Sequence, residues 1–359
     1  MNKIYVNDSI IGGDRTFVIA EMSGNHNQDK NRAIEIVRAA KYSGADALKI
    51  QTYRADTITL DCDGDMFRAQ KGSPWEGTTL YKLYGEAYTP WEWHKDIFEE
   101  ADRQGLVCFS SPFDFTAIDF LEELGCPIYK IASYEITDIP LIRKAAKTKK
   151  PVIMSTGLAS ESDIKLAVDT CRQQGNNDIV LLKCTSAYPA PFGEMNIRMV
   201  PDLSERFACV SGLSDHTLGS EVAVASVALG ARVVEKHLTL DRKDGGVDSA
   251  FSMEPEEFKN MVSCIRNVEA ALGTVSYTLT DSQMEGRKYC RSLYVSKDVR
   301  KGERVTPDNV KSVRPGGGLE PRFYDTVMGS IFKIDVKKGV PLSWDMTDCS
   351  GPGESKGNI

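Results

Sequence analysis

Eight short apolar segments recur before Gly273, and amphipathic stretches with helical periodicity separate them. They cover residues 16–21, 47–52, 106–111, 128–133, 151–156, 179–184, 208–214 and 232–238. Continuous apolar runs of this length are typical of parallel strands that are buried on both faces. Eight such strands alternating with helices predict an α/β fold, the (β/α)₈ TIM barrel. An open doubly wound sheet is the alternative, but no Gly-x-Gly-x-x-Gly motif follows the first segment to favour a dinucleotide-binding fold.

The pattern changes after Gly273, and this change divides the chain into predicted domains. We predict a catalytic barrel over residues 1–275, a polar linker over 276–291, a small β-rich domain over 292–349 and a disordered tail over 350–359. One connection inside the barrel, residues 53–89, is much longer than the others. Connections of that length are usually active-site lids or contain small elements of their own.

The composition argues against several classes of function. The net charge of −7 and the pI of about 5.4 argue against a nucleic-acid-binding surface. No apolar run reaches the roughly 18 residues that span a membrane, and the N-terminus lacks the apolar core of a signal peptide. Nine scattered cysteines without a Cys-x-x-Cys pair are typical of a reducing compartment. We therefore expect a cytoplasmic protein that binds neither nucleic acid nor membranes.

Polar residues end every one of the eight segments, and in a barrel these ends meet at the active-site face. Lys49 and Lys130 stand inside apolar segments, where a buried ammonium is costly unless an anion meets it. Hydroxyl groups extend this cationic rim at Ser133, Ser155 and Ser214. The set favours a bound phosphate or carboxylate. A lysine Schiff base is the alternative, and the local sequence does not separate the two.

Glu21 and Glu135 are the candidate groups for proton transfer among the carboxylates at the strand ends. The alternative for each is a simple ion pair with Lys49 or Lys130. Asp215 stays unassigned, because it can point away from the site and orient the strand ends instead.

Two of the four histidines, His216 and His237, end the seventh and eighth segments. Adjacent strands carry them, so their imidazoles can converge on one divalent metal ion and leave positions open for substrate. The alternative is that each only bonds to backbone at the barrel rim. His94 lies in a helical pattern and is expected to be a packing or surface residue, and His26 either contacts substrate or caps a loop.

Eight motifs in order give the chain a specific resemblance. They are IAEMSGNHNQD, DALKIQTY, CFSSPFD, YKIASYEITDIPLI, VIMSTGLAS, LLKCTSAYPAP, GLSDHTLG and ARVVEKHLTLDR. Together they resemble the sialic acid synthase family, whose members condense phosphoenolpyruvate with an N-acylated hexose. The resemblance extends to about residue 349, because KDVRKGERVTPDNVKSVRPGGG resembles the antifreeze-like (SAF) domain of that family.

The resemblance implies a role for each matching position. His216 and His237 would hold a divalent ion, Mn²⁺ or Mg²⁺. The residues around phosphoenolpyruvate would be Lys49, Ser111, Lys130, Ser133, Ser155, Ser186 and Ser214. The residues facing the acylated sugar would be Gln51, Tyr188, Asp248 and Arg314. Arg314 would reach into the barrel of a neighbouring subunit, so the resemblance also implies a domain-swapped homodimer.

Finer features concern the acceptor sugar. The segments TTLYKLYGEAYTPWEWHKDIF, VDSAFSMEP and SVRPGGGLEPRFYDTVMG favour the branch of the family that acts on 2,4-diacetamido-2,4,6-trideoxy-L-altrose. A synthase of N-acetylneuraminic or legionaminic acid is the alternative. The chain departs from many members at Lys183, where they have histidine, and lacks their proline before Asp248. A non-catalytic sugar- or ice-binding protein is a remote alternative, against which the intact set of charged residues argues.

Overall fold

The computed structural model describes residues 3–69, 71–72 and 75–351 of the chain. Contacts divide the chain into two compact units, Met1–Gly273 and Thr274–Ile359. The predicted tail over 350–359 falls, from residue 352 onward, outside the described residues. No helix in the described part of the chain is long and apolar enough to cross a membrane.

The first unit is a closed barrel of eight parallel strands, which confirms the predicted (β/α)₈ fold. A short antiparallel hairpin of β1 (Ile4–Val6) and β2 (Ser9–Ile11) precedes the barrel. The barrel strands are β3 (Phe17–Glu21), β4 (Ala47–Thr52), β5 (Val107–Pro112), β6 (Tyr129–Ile131), β7 (Val152–Ser155), β8 (Ile179–Cys184), β9 (Val210–Asp215) and β10 (Val233–His237). Each strand pairs with its neighbours in sequence, and β10 closes the ring on β3.

Helices form the outer layer of the barrel. The helices of this unit are α1 (Lys30–Tyr42), α2 (Ala55–Ile58), α3 (Leu80–Ala87), α4 (Trp91–Arg103), α5 (Phe115–Glu123), α6 (Ile139–Lys147), α7 (Glu161–Gln173), α8 (Met199–Phe207), α9 (Glu221–Ala228) and α10 (Pro255–Leu272). Of these, α2 and α3 bury no residue and belong to the connection after β4, not to the outer layer. The apolar residues of the outer-layer helices recur at the spacing that puts them on one face, as in α1, which buries Ala33, Ile36, Val37 and Ala40. That face packs on the outside of the strands and leaves the polar face in water.

The side chains of β3 alternate between two apolar clusters. Phe17 and Ile19 face the barrel interior and belong to a cluster that also includes Ile4, Val6 and Ile11 of the hairpin and residues of α5 to α8. Val18 and Ala20 belong to the core between strands and helices. Because side chains of a strand alternate with period two, the next inward residue of β3 is Glu21. Apolar layers therefore fill the lower barrel, and polar residues occupy the layer at the carboxyl ends of the strands.

The long connection 53–89 contains elements of its own, one of the two expected possibilities. It holds α2, α3 and a 3₁₀ turn at Asp65–Phe67. The indole Nε1 of Trp75 donates a hydrogen bond to the carbonyl of Val247 at 2.8 Å. The connection is thereby tied to the loop that follows β10, at the active-site face of the barrel.

The second unit contains an antiparallel pair, β11 (Ser292–Val295) and β12 (Val310–Val313), with the short helix α12 (Tyr324–Val327). Its core is small and separate: Leu293, Val295, Val299, Val305, Val310, Val327, Phe332, Val336 and Leu342. The segment predicted as a linker, 276–291, contains the helix α11 (Asp281–Arg287). A threonine cap at Thr280 begins that helix, since its hydroxyl accepts the Gln283 N–H.

Candidate active site

A buried cluster of one lysine and two carboxylates lies at the carboxyl end of the barrel. Lys49 Nζ lies 2.8 Å from Glu21 Oε2 and 3.5 Å from Glu235 Oε1. Burial lowers the pKa of Lys49, but the two carboxylates outweigh it and the pKa is raised. Burial also raises the pKa of Glu21. The ion pair weighed as the alternative for Glu21 is therefore present, and Lys49 is held as a cation.

Lys130 is also buried, at 2% exposure, but its surroundings differ. Its Nζ donates to Ser155 Oγ at 2.7 Å and to the Ile131 carbonyl at 3.1 Å. Within the described residues, no carboxylate lies within ion-pair distance of this ammonium. Burial accordingly lowers the pKa of Lys130. A buried cation that bonds to one hydroxyl and one carbonyl, with no carboxylate in contact, is a candidate site for an anionic ligand.

Three small residues form a polar cradle near Lys130. The Gly157 N–H donates to Ser133 Oγ at 3.2 Å. A Cβ added at Gly157 would lie 2.5 Å from Ser186 Oγ and 2.9 Å from Ser133 Oγ, so only glycine fits between the two serines. Ser186 Oγ is buried and has no hydrogen-bond partner in the described part of the chain. The unpaired Ser186 hydroxyl is a buried donor that suits an oxygen of a phosphate or carboxylate, and the Gly157 amide orients the neighbouring Ser133 hydroxyl.

The remaining two predicted serines lie near Lys49. Ser111 Oγ lies 3.4 Å from Lys49 Nζ, and Ser214 Oγ donates to Glu235 Oε1 at 3.2 Å. Lys49 and Lys130 both act on Glu235, and together they outweigh burial and lower its pKa. Of the five predicted serines, Ser111 and Ser155 contact the lysines directly, Ser214 contacts Glu235, and Ser133 and Ser186 border Gly157.

Glu135 ends a 3₁₀ turn, Ser133–Glu135, just after β6. Its Oε2 is buried and has no hydrogen-bond partner among the described residues. Burial raises the pKa of Glu135 to about 7, against the opposing charge of Lys130. A carboxyl group with this pKa can hold or release a proton near neutral pH.

His216 and His237 converge as predicted, with ring centroids 5.4 Å apart. His216 Nδ1 donates to the Thr185 carbonyl at 3.1 Å, which leaves its Nε2 available as a ligand. His237 Nδ1 is buried without a hydrogen-bond partner in the described chain, 4.0 Å from Asp248 Oδ2. Burial keeps the pKa of His237 well below its usual value, so this imidazole is neutral.

The donor set fits a divalent cation in part. No cluster of three or more His, Cys, Asp or Glu within the described ranges is arranged to hold a metal. The protein therefore offers two imidazoles, and water or substrate oxygens would complete the coordination. Burial opposes a proton on His216, but the neighbouring Cys184 outweighs it and raises the pKa of His216. Metal binding needs neutral imidazoles and would release that proton.

The three predicted sugar-facing residues of the barrel border the histidine pair. Gln51 Nε2 donates to Glu21 Oε1 at 2.9 Å and to Ser23 Oγ at 3.1 Å. Ser23 in turn donates to Asp248. The Tyr188 ring lies 4.5 Å from that of His216 and is flanked by Phe251 and Trp75, at 5.2 and 5.9 Å. The structure therefore places these residues on the side of the cluster where the two histidines lie.

Some other sequence predictions have separate outcomes. Arg314 is exposed just after β12, in the second unit. His94 is buried and bonds to Thr52 Oγ1 at 2.8 Å, so it is a packing residue and not a surface residue. His26 caps a loop, since its Nδ1 accepts the Gln28 N–H at 3.1 Å.

Two residues in the site were not predicted. Glu235 faces the interior beside Lys49, and strand alternation from His237 could have revealed it. Ser23 links Gln51 to Asp248 with a left-handed backbone (φ 46°), for which no sequence signal exists.

Comparisons with known proteins agree with this geometry. Residues 36–277 match the NeuB family, and residues 291–347 match the SAF domain. The chain is 45% identical to pseudaminic acid synthase of Campylobacter jejuni over 328 residues, covering 91% of this chain and 95% of that protein. It is 45% identical to pseudaminic acid synthase of Helicobacter pylori over 329 residues, covering 91% and 96%.

A solved structure extends the likeness to three dimensions. N-acetylneuraminic acid synthetase from Leptospira borgpetersenii, in complex with citrate, superposes with a TM-score of 0.70 at 30% identity. The match covers 79% of this chain and 95% of that one. Sequence and fold thus lead to one assignment: the chain belongs to the NeuB family.

Proposed function

We propose that this protein has pseudaminic acid synthase activity. It would condense phosphoenolpyruvate with 2,4-diacetamido-2,4,6-trideoxy-L-altrose and release phosphate. The observation that carries the proposal is one set of buried polar groups at the strand ends: the Lys130 ammonium bonded to Ser155, the Ser133–Gly157–Ser186 cradle and two converging imidazoles. The 45% identity to two pseudaminic acid synthases supports this choice of acceptor.

The proposed reaction forms one carbon–carbon bond and breaks one carbon–oxygen bond. C3 of phosphoenolpyruvate attacks the aldehyde carbon of the open-chain sugar. The aldehyde oxygen gains a proton, water adds at C2 and loses a proton, and the C2–O bond to phosphate breaks. No oxidant or reductant is needed, so the protein has only to orient the two substrates and stabilise charge.

Each charged residue has a task in this scheme. Lys130 and the cradle hold the anionic groups of phosphoenolpyruvate, and Lys49, fixed by Glu21, provides the second cation. Glu135 donates the proton that the aldehyde oxygen gains. Glu21 positions the attacking water or accepts its proton. When bound at His216 and His237, a Mn²⁺ or Mg²⁺ ion would supply positive charge that polarises the aldehyde.

We also propose a domain-swapped homodimer in a reducing cytoplasm. Val275 and Tyr277 are each 97% exposed, which is unusual for apolar side chains that no partner covers. Arg314 is exposed and available to a neighbouring subunit. All nine cysteines are free thiols, as expected of a reducing compartment.

The proposal is tested by measuring phosphate release from phosphoenolpyruvate with each candidate sugar. The diacetamido-altrose should support turnover with the highest kcat/KM. Turnover with N-acetylmannosamine or the legionaminic acid precursor, and none with the altrose, would show that the protein is instead a synthase of N-acetylneuraminic or legionaminic acid. Sugar binding without turnover in metal-replete protein would instead support the non-catalytic alternative.

The Glu135 carboxyl should control the pH dependence of the reaction. Its pKa of about 7 means that it is protonated below that pH and ionised above it. As a proton donor it should give a kcat/KM that is constant in acid and falls as pH rises through 7. Glu135→Gln should remove this inflection and lower kcat by about 10² or more. Profiles recorded at saturating metal would contradict the role if kcat/KM rose through pH 7.

Arg314 should act on the acceptor sugar alone. Arg314→Ala should raise the KM for the sugar more than the KM for phosphoenolpyruvate, because the guanidinium is expected to touch only the acyl end. Steady-state kinetics with each substrate varied in turn measure the two values. Arg322→Ala is a matched control, since that arginine is exposed in the same unit and its ion pair is with Glu320. Equal changes in both KM values for Arg314→Ala would count against the contact.

A further inference from the structure

A fully buried ion pair lies directly behind the two histidines. Lys236 Nζ donates to Asp215 Oδ2 at 2.7 Å, and the two side chains are 1% and 0% exposed. The same Nζ donates to the Thr217 carbonyl at 2.7 Å. Asp215 Oδ1 accepts both the Thr217 N–H at 2.9 Å and its Oγ1–H at 2.8 Å. Both oxygens of Asp215 and two of the three ammonium donors of Lys236 are used in these four contacts, and strand alternation turns both side chains away from the side of His237.

The pair lies at the last position of the ladder between β9 and β10. Asp215 and Lys236 are the last register partners between β9 and β10. His216 follows Asp215, and His237 follows Lys236. The contacts to Thr217 reach the far side of His216, so the backbone on both sides of this histidine is tied to the residue before His237.

Other bonds hold the two histidines separately. The His216 carbonyl accepts the Ala190 N–H, and the His237 carbonyl accepts the Met253 N–H, each at 2.9 Å. These bonds anchor each histidine to a different loop and do not join one to the other. Two side-chain links therefore join the imidazole-bearing strands: Ser214–Glu235 beside Lys49, and the Asp215–Lys236 pair, whose contacts also reach Thr217 beyond His216.

The free-energy cost of burying two charges indicates that this pair fixes the positions of other groups and does not serve mainly to stabilise the fold. Removing two charges from water is costly, and apolar residues of similar volume often stabilise a core as well or better. A buried ion pair has directional hydrogen bonds, however, and these fix the relative position of the groups that carry them. We propose that Asp215 and Lys236 are a positioning pair that sets the separation of His216 and His237 to one that a single divalent ion can bridge.

This inference rests on the metal role in the proposed function. Residues that orient metal ligands from behind typically contribute about 10- to 100-fold to metal affinity. Removing the pair should weaken metal binding by a factor in that range, although neither residue contacts the ion. If the pair were merely structural, its removal would change thermal stability alone and leave the metal affinity unchanged.

The test uses the double variant Asp215→Asn/Lys236→Met in the full chain. Asparagine keeps an acceptor for Thr217, and methionine keeps the length of lysine, so no unpaired charge is buried. Mn²⁺ is titrated into chelator-treated protein, and free Mn²⁺ is measured by electron paramagnetic resonance. The Kd for Mn²⁺ should rise about 10- to 100-fold. Thr217→Val, which removes one hydrogen bond and changes little volume, should raise the same Kd by less.

The matched control is the double variant Asp46→Asn/Arg266→Met. That ion pair, at 3.0 Å, links the start of β4 to α10 at the opposite end of the barrel. This control variant should have a lower melting temperature and an unchanged Kd for Mn²⁺. An equal loss of affinity in the control, or an unchanged Kd in both the Asp215 and Thr217 variants, would overturn the positioning role. Failure of the unaltered protein to bind Mn²⁺ would overturn the metal role itself.

Discussion

His237→Ala is expected to lose at least about 10³-fold in kcat and to lose its response to added Mn²⁺ or Mg²⁺. Charge stabilisation by a bound metal is worth several kcal/mol, and each 1.4 kcal/mol is a factor of ten in rate. The protein offers two imidazoles, 5.4 Å apart between ring centroids, so one substitution removes half of its nitrogen ligands. Phosphate release measured across a range of metal concentrations checks both effects.

His94→Ala is the matched control for that experiment. His94 is a buried imidazole that bonds to Thr52 and to the Pro90 carbonyl, away from the histidine pair. Its loss should lower the melting temperature and leave the metal dependence intact. Full turnover of His237→Ala in chelator-treated buffer would show that the imidazole has no part in metal binding.

Lys130→Met should lower kcat/KM for phosphoenolpyruvate by about 10² to 10³, because a preorganised contact to developing charge is lost. The same change should leave the melting temperature unchanged or raise it. Lys130 is buried without a carboxylate in contact, and Glu235, on which it acts, keeps Lys49 as its close cation. Methionine therefore removes a buried charge, leaves no carboxylate without a cation and keeps the packing of the stem. A variant that keeps or gains stability and loses activity is expected when the replaced residue serves to bind a ligand and not to stabilise the fold.

Lys49→Met provides the contrasting control. Lys49 compensates two buried carboxylates, Glu21 and Glu235, so its loss should lower stability by about 3–5 kcal/mol. Thermal unfolding followed by circular dichroism compares the two lysine variants directly. A marked loss of stability in Lys130→Met would mean that this lysine is part of the structural core and would contradict the anion site.

The barrel and most of its charged residues could be predicted from the sequence, because strand ends of a parallel barrel converge wherever they lie in the chain. The convergence of His216 and His237 needed only the order of the strands. Glu235 was not singled out, although alternation from His237 places its carboxylate inward beside Lys49.

The loops could not be predicted in the same way. Asp248 was assigned through resemblance alone, because nothing periodic fixes where a loop after β10 returns. Its contact with Ser23 depends on a left-handed residue and on the close approach of two loops, which no local pattern encodes. The ion pair of Asp215 and Lys236 joins strands that are adjacent only after the fold is known.

Ring closure between β3 and β10 has a consequence for synthesis of the protein. The two strands pair Phe17 with Val233. The first barrel strand therefore cannot pair with β10 until more than two hundred further residues have been translated. Until then one strand edge stays open, and the N-terminal hairpin covers an unfinished interior. We therefore expect nascent chains of this protein to expose an unpaired strand edge and apolar surface on the ribosome. Chaperones bind exposed surface of this kind.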